Sequence, residues 1–403
     1  MNVLLVHVKK NLLPDRVRTA PEIGHLTVIT EPGHAQRYGP EVDVRLIDDV
    51  QDPEALRLAV LRVLRDRRID RIFAPFELGQ AQTGYVRTYF GIPGTGAEVA
   101  HAFSSKYAMK QLMRRAGLPV ADFRLAAGLD QVAEAAAELG WPVVAKPMIG
   151  GGSIDVCVLR GPEEFEAFAA SAQAGPIRAL RVPLVVEKFV EMTAEYHCDG
   201  VVKDGEVVFA ASSRYLVPVL DHGAMFGSAT LPAGDPVRER MEELHARAVA
   251  ALGLVDGVTH MEFFGTADGL VAGEIACRPA GGGIPDALAL HTGVDVWQSC
   301  LLLALGLEPK VDPVPEHGVT AHCYLPLTPG RIVAMTGAEE LLALPSVVGV
   351  TMLREVGETV PERLNSAAAS GLVFLRADSA EEAEAAVARV YETFRIEIEA
   401  AQR

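Results

Sequence analysis

The segment Thr259-His260-Met261-Glu262-Phe263-Phe264-Gly265-Thr266-Ala267-Asp268-Gly269-Leu270-Val271-Ala272-Gly273-Glu274-Ile275-Ala276-Cys277-Arg278 decides how the rest of the chain is read. Asp268-Gly269 is a tight-turn pair between two apolar runs, so the spacing predicts a two-stranded ribbon of Thr259–Gly265 and Gly269–Ala276. Each strand carries one carboxylate inside an apolar run, Glu262 and Glu274. On a ribbon the two can face the same side, where unpaired carboxylates repel and are costly to desolvate; a cation is then the natural partner. Hard oxygen ligands that share a site with phosphate point to magnesium. Arg278 follows Glu274 by four residues and leads into Ala280-Gly281-Gly282-Gly283; its planar fork suits a phosphate or a carboxylate. A surface hairpin closed by a salt bridge accounts for the same residues.

Upstream, the strand Pro142–Lys146 ends in a lysine and runs into Met148-Ile149-Gly150-Gly151-Gly152-Ser153. Glycines let backbone N–H groups converge on anionic oxygens, and the lysine adds a point charge. The order differs from a P-loop, because the lysine precedes the glycines. A flexible hairpin tip is the plain alternative. The apolar strand Val185–Val190 carries Glu187, with Glu195 further on. A strand edge can pair with adenine, and carboxylates suit its amine and the ribose hydroxyls; exposed glutamates flanking a strand are the plainer explanation.

The first hundred residues alternate short β-branched runs (Val3–Val8, Leu26–Thr30, Val42–Ile47, Arg71–Ala74) with a helical pattern over Pro53–Arg68. That predicts a parallel sheet covered on both faces. The turn Lys9-Lys10-Asn11-Leu12 has no glycine, so this Rossmann-like start lacks a dinucleotide fingerprint. A helix is expected over Ser104–Gly117, then a strand over 119–126, helices over 130–139 and 162–172, and antiparallel strands through Leu216. Glu308–Gly318, with Pro309, Pro313 and Pro315, reads as a linker; strands Val319–Leu325, Val347–Leu353 and Gly371–Ala377 and a helix Ala380–Ile398 follow.

At 403 residues the chain is long enough for about three domains. Hydrophobic residues at 49% and charged residues at 22% exclude disorder. A net charge of -16 disfavours nucleic acid and anionic membranes as partners. The five cysteines include no Cys-x-x-Cys pair, which suggests free thiols in a reducing cytosol. No apolar stretch nears the roughly 18 residues of a membrane span. A cytoplasmic protein is expected.

In this order, Lys106 on its helix, Lys146 with its glycine loop, Glu187 on a hinge strand, Glu195, Glu262, and Glu274-x-x-x-Arg278 with glycines resemble the ATP-grasp superfamily over residues 100–306. Thr259-His260-x-Glu262 with Glu274-Ile275-Ala276-Cys277-Arg278 is most similar to the bacterial L-amino-acid ligases and to related carboxylate–amine ligases of natural-product pathways. The resemblance implies an α/β (α+β ATP-grasp) fold: a Rossmann-like domain over 1–100, a two-lobed core over 101–308 with a lid lobe near 118–190, and an α+β lobe over 309–403.

It also implies roles. Lys106 and Lys146 would contact phosphates of ATP under the loop of Gly151, Gly152 and Ser153. Glu187 and the backbone of Lys188, Phe189 and Val190 would hold adenine, and Glu195 the ribose. Glu262 and Glu274 would bind one or two Mg2+ ions, with Mn2+ as an alternative. Arg278, with Lys146, would stabilise the transferring phosphoryl group, helped by Gly281 and Gly282. The segment holding His222, Met225 and Ser228 would meet substrate, His222 serving as base, with His260 and Arg214 as further substrate contacts. Two departures stand out. Ala276 replaces an asparagine common in the superfamily, and a glycine follows Arg278 where some dipeptide ligases place tryptophan, implying a roomier acceptor pocket or a different acyl substrate.

The implied activity is an ATP-dependent ligase that forms an amide through an acyl-phosphate and releases ADP and phosphate. An amino acid and a carboxylate or second amino acid are the expected small-molecule substrates, and a homodimer the expected assembly. A carboxylase using bicarbonate fits the Glu274 segment less well. A non-catalytic ATP-binding regulatory protein predicts loss of Glu262, Glu274 or Arg278, and all three are present.

Overall fold

The computed structural model describes residues 1–8, 13–221, 226–362, 364 and 368–399. The expectations placed on Lys9–Leu12, His222 and Met225 lie outside these residues.

The N-terminal strands β1 (Asn2–Val6), β2 (His25–Thr30), β3 (Asp43–Leu46) and β4 (Arg71–Phe73) form a parallel sheet in the order β3-β2-β1-β4. The helix Pro53–Asp66 starts where Asp52 accepts hydrogen bonds from the Glu54 and Ala55 N–H groups, with proline in its first turn. Its Leu56, Ala59, Val60 and Val63 pack on Leu4, Val6, Ile29 and Ile72. Burying each larger side chain of this kind contributes about 1.5–3 kcal/mol. After β4, helices Gln80–Phe90 and Ala97–Ser104 lead into Lys106–Arg115, whose N-cap is Ser105.

A second, antiparallel sheet holds β5 (Phe123–Ala126), β6 (Val143–Pro147), β7 (Cys157–Leu159) and β8 (Leu184–Lys188) in the order β5-β8-β6-β7. The strand expected from 119 is regular only from Phe123; Val120 instead forms a parallel bridge with Ala272.

The largest sheet gathers β9 (Ala194–Lys203), β10 (Glu206–Tyr215), β11 (Gly227–Thr230), β12 (Gly257–Thr266), β13 (Gly269–Ala276), β14 (Val319–Leu325), β16 (Val347–Met352) and β18 (Gly371–Ala377). Its order is β13-β12-β9-β10-β11-β14-β18-β16. Because β11 pairs with β14, hydrogen bonding runs unbroken across the proline-rich 308–318 segment. That segment is pinned by Arg238, which donates to both carboxylate oxygens of Glu316 at 2.6 and 2.9 Å.

A small sheet joins β15 (Gly330–Met335) to β17 (Thr359–Val360) and β19 (Ile396–Glu399). The C-terminal helix therefore ends earlier than expected, at Thr393, and the following residues form β19. Among the described residues no single helix is long and apolar enough to cross a membrane, and the apolar helices Ile284–Thr292 and Val296–Ala304 meet at 101°.

Candidate active site

Strand pleat decides which side chains of the lid sheet face the large sheet. Val143, Ala145, Leu184 and Val186 point into the lid's own core. Lys146 and Glu187 therefore share the other face, as diagonal neighbours in the register that pairs Val144 with Glu187 and Lys146 with Val185. The helix Lys106–Arg115 contacts β13, the edge strand of the large sheet, and one turn places Lys106 and Lys110 on the same side.

These elements converge on a buried charge cluster. Lys146 Nζ lies 2.7 Å from Glu274 Oε1 and 2.9 Å from Glu187 Oε1. Lys106 Nζ lies 3.0 Å from Glu274 Oε2 and donates to the Gly150 carbonyl at 2.6 Å. Lys110 Nζ lies 3.1 Å from Glu187 Oε2 and donates to the Gly273 carbonyl at 3.0 Å. Burial opposes the ionised form of Glu274, yet Lys106 and Lys146 outweigh it and hold its pKa far below the usual carboxylate range. Burial likewise opposes charge on Lys146, and Glu187 with Glu274 raises its pKa above the ordinary value.

The two carboxylates of the ribbon do share a face. A β-bulge on β13, at the register shift between Met261 and Phe263 of β12, sets Glu262 opposite the Gly273–Glu274 step. Glu262 keeps 30% of its side chain exposed, and His260 Nε2 is 3.7 Å away. A divalent cation suits this pair: both are hard oxygen donors, and one already draws cations to it. Just beyond β13, Arg278 donates from Nη2 and Nε to Glu77 Oε2 at 2.7 and 3.2 Å. Burial opposes the Arg278 charge, but Glu77, with Glu262 further off, raises its pKa. The glycine loop reaches the same carboxylate, since a Cβ on Gly151 would sit 2.7 Å from Glu77 Oε2.

Next to Glu262 lies a polar network on the same sheet face. Asp199 accepts from His197 Nδ1 at 2.6 Å and His260 Nδ1 at 2.9 Å. His197 Nε2 bonds Ser228 Oγ at 2.9 Å, and Ser228 Oγ lies 3.4 Å from His322 Nδ1. Burial works against charge on His260, but Asp199 and Glu262 lift its pKa to about 9.

A family model for the ATP-grasp domain matches residues 111–289, and one for the L-amino acid ligase C-terminal domain 2 matches residues 323–399. An L-arginine-specific L-amino acid ligase of Bacillus subtilis is 31% identical over 374 residues, covering 92% of this chain and 90% of that protein. The chain belongs to the L-amino acid ligase family. The L-amino acid ligase of Bacillus licheniformis superposes with a TM-score of 0.79 at 19% identity over 99% of both chains. A biotin carboxylase domain of Hydrogenobacter thermophilus, solved with magnesium–ADP and bicarbonate, gives a TM-score of 0.71 at 18% identity over 98% of this chain and 90% of that one. As an L-amino acid ligase, the protein is an ATP-dependent carboxylate–amine ligase that acts on small molecules, an amino acid among them. Ligases with this domain use ATP and Mg2+.

Strand pairing and local hydrogen bonds place the remaining expected residues of this L-amino acid ligase. Glu187, expected at adenine, sits with its carboxylate between Lys110 and Lys146, because the pleat turns it toward Lys146. Arg214 pairs with Tyr196 and Ala229, so it lies on the sheet face opposite Ser213, Tyr215 and His197, and it is exposed. Lys188 is tied to the Gly140 and Trp141 carbonyls at 2.9 Å each, while the Phe189 N–H bonds the Pro142 carbonyl at 3.0 Å and Val190 follows. Glu195 is buried and accepts from the Val219 N–H at 2.6 Å.

Gly281 is exposed at the turn after Arg278. Gly282, in contrast, leaves no empty space behind it: a Cβ there would land on the Tyr324 hydroxyl, and its φ of +59° is left-handed. The ring of Tyr324, not a side chain at 282, walls this side. Two residues of the cluster escaped the sequence reading, Lys110 and Glu77. Lys110 had a local signal, since it interrupts the buried stripe of Met109 and Met113 four residues after Lys106. Glu77 had none.

Proposed function

We propose that this ligase activates the carboxylate of one substrate with ATP and joins it to the amine of another, at least one being an L-amino acid, with release of ADP and phosphate. The γ-phosphoryl group passes to a carboxylate oxygen, giving an acyl-phosphate; the amine attacks its carbonyl carbon, phosphate leaves, and the ammonium's protons pass to solvent. What supports this reading above all is the meeting of Lys106, Lys146 and Glu274 from three different elements beside Glu262 and Arg278.

In this reading Lys106 and Lys146 hold the polyphosphate, and the N–H groups of Gly151, Gly152 and Ser153 cover it. The strand end Lys188–Val190 receives adenine, and Glu195 lies toward the ribose. Glu262 and Glu274 would hold Mg2+, as one ion or two, with Mn2+ able to replace it; Ala276 supplies no further ligand. The bound ion would neutralise charge on the phosphates and align them for transfer. Arg278 and the N–H groups of Gly281 and Gly282 stabilise the phosphoryl oxygens. His260 and Ser228 form the polar floor on the substrate side. Residues 1–100, the 101–308 core with its lid, and the 309–403 lobe close around the reacting groups, keeping water from the acyl-phosphate. A net charge of -16 disfavours nucleic-acid and anionic-membrane partners, and a cytoplasmic homodimer is the proposed assembly.

The test is ADP release with an amino-acid panel, beginning with L-arginine because a relative is specific for it. Release that needs one amino acid marks uncoupled activation, and release that needs two identifies the acceptor. Release driven by bicarbonate alone, or by no amino-acid combination, would sink the proposal.

A further inference from the structure

Lys110 takes no part in the chemistry just proposed, yet it is the deepest charge in the cluster. Its side chain is 0% exposed, against 5% for Glu187 and 26% for Glu274. A ligand arriving from solvent therefore meets Glu274, with Lys106 and Lys146, before it meets the Lys110–Glu187 pair. Glu187 is shared, with Oε2 3.1 Å from Lys110 Nζ and Oε1 2.9 Å from Lys146 Nζ. Lys106 cannot stand in for Lys110, because its ammonium is already placed between Glu274 and the Gly150 carbonyl.

We propose that Lys110 is a positioning residue for nucleotide binding: as the permanent counter-ion of Glu187, it leaves Lys146 free to pass from carboxylate to phosphate. The inference rests on the proposed nucleotide site at Lys146 and Glu274. A buried carboxylate left without its partner is costly. Without Lys110, Glu187 would keep Lys146 as its one cation, and any phosphate would have to compete for it. The bond from Lys110 to the Gly273 carbonyl also fixes the backbone step before Glu274, at the bulge that sets Glu274 beside Glu262.

The experiment is calorimetric titration of ADP into the full-length protein and its Lys110→Met, Glu187→Gln, Lys110→Met/Glu187→Gln and Lys146→Met variants. Lys110→Met should bind ADP about tenfold more weakly or worse. In the Glu187→Gln background the same change should alter affinity by less than about twofold, because no buried carboxylate competes for Lys146. A purely structural role would cost affinity equally in both backgrounds. Wild-type affinity in Lys110→Met, or an equal loss in both backgrounds, overturns the proposal. The comparison of Glu187→Gln with the double variant decides the matter even where Lys110→Met alone does not fold. Lys146→Met separates the two levels: unchanged ADP affinity there removes the nucleotide site itself, whereas a loss there with none in Lys110→Met removes only the role of Lys110.

Discussion

Glu77, on the segment that follows β4 of the N-terminal sheet, receives two hydrogen bonds from the guanidinium of Arg278, just past the end of β13. The contact ties the N-terminal domain to the proposed phosphoryl-transfer site, and the glycine loop rests against the same carboxylate. Replacing Glu77 by glutamine keeps the shape and removes the charge. We expect kcat/KM to fall about tenfold and unfolding free energy by about 1–3 kcal/mol. Steady-state ADP release and urea titration check both, and wild-type kinetics would show that Arg278 needs no partner.

Glu274→Gln keeps one oxygen, able to accept from either Lys106 or Lys146, and loses both the second acceptor and the charge that suits a metal. Half-saturating Mg2+ should rise about tenfold and turnover fall about a hundredfold. ADP release measured across a Mg2+ titration reports both. Full turnover at limiting Mg2+ would remove Glu274 from the metal site.

Gly282→Ala combines left-handed backbone strain with displacement of the Tyr324 hydroxyl. Together these should cost about 1–3 kcal/mol. Adding Tyr324→Phe should recover only part of the packing loss, because the ring carbon Cζ would still lie 2.5 Å from the new Cβ, and should leave the strain. A double-mutant cycle from denaturation curves tests the coupling, and strict additivity would show that the two residues do not meet.

Acid stability should depend on histidines held neutral in the core. Burial pushes His245 down to about 4 and His322 down to about 3. Below the ordinary value of about 6.5 the unfolded chain takes up protons that the folded one refuses. Their contribution is therefore complete above that pH and is lost as pH falls toward 4. His245→Gln should reduce the slope of unfolding free energy against pH by up to about 1.4 kcal/mol per pH unit in that window. Urea denaturation at a series of pH values measures the slope; an unchanged slope would assign the acid limb to other groups.

Much of the site could be read from local sequence. The Asp268-Gly269 turn announces the ribbon, although its register alone would set Glu262 opposite Gly273 and only the bulge brings Glu274 to that face; Lys146 announces itself by ending an apolar strand before glycines. What could not be read depends on distant contacts. Glu77 sits in a connecting segment, and its partner is 201 residues further along the chain. Glu187 stands on the strand where it was expected, but only the pairing of β6 with β8 shows that its carboxylate turns to lysines. Arg214 lies on the sheet face away from His197 and Tyr215 for the same reason, since one step along a strand reverses the face. β19 was readable: Ile396-Glu397-Ile398-Glu399 alternates with period two, but the alanine-rich helix before it masked the change of period.

The pairing of β11 with β14 constrains how this enzyme can be rebuilt. The proline-rich stretch near residue 310 looks like a natural place to cut and graft another C-terminal half. Cutting there would strip β14, β18 and β16 from their sheet and leave the edge of β11 bare, ready to pair with another chain. Chimeras meant to exchange substrate preference should therefore keep all eight strands from one parent and exchange loops or the four-stranded lid instead.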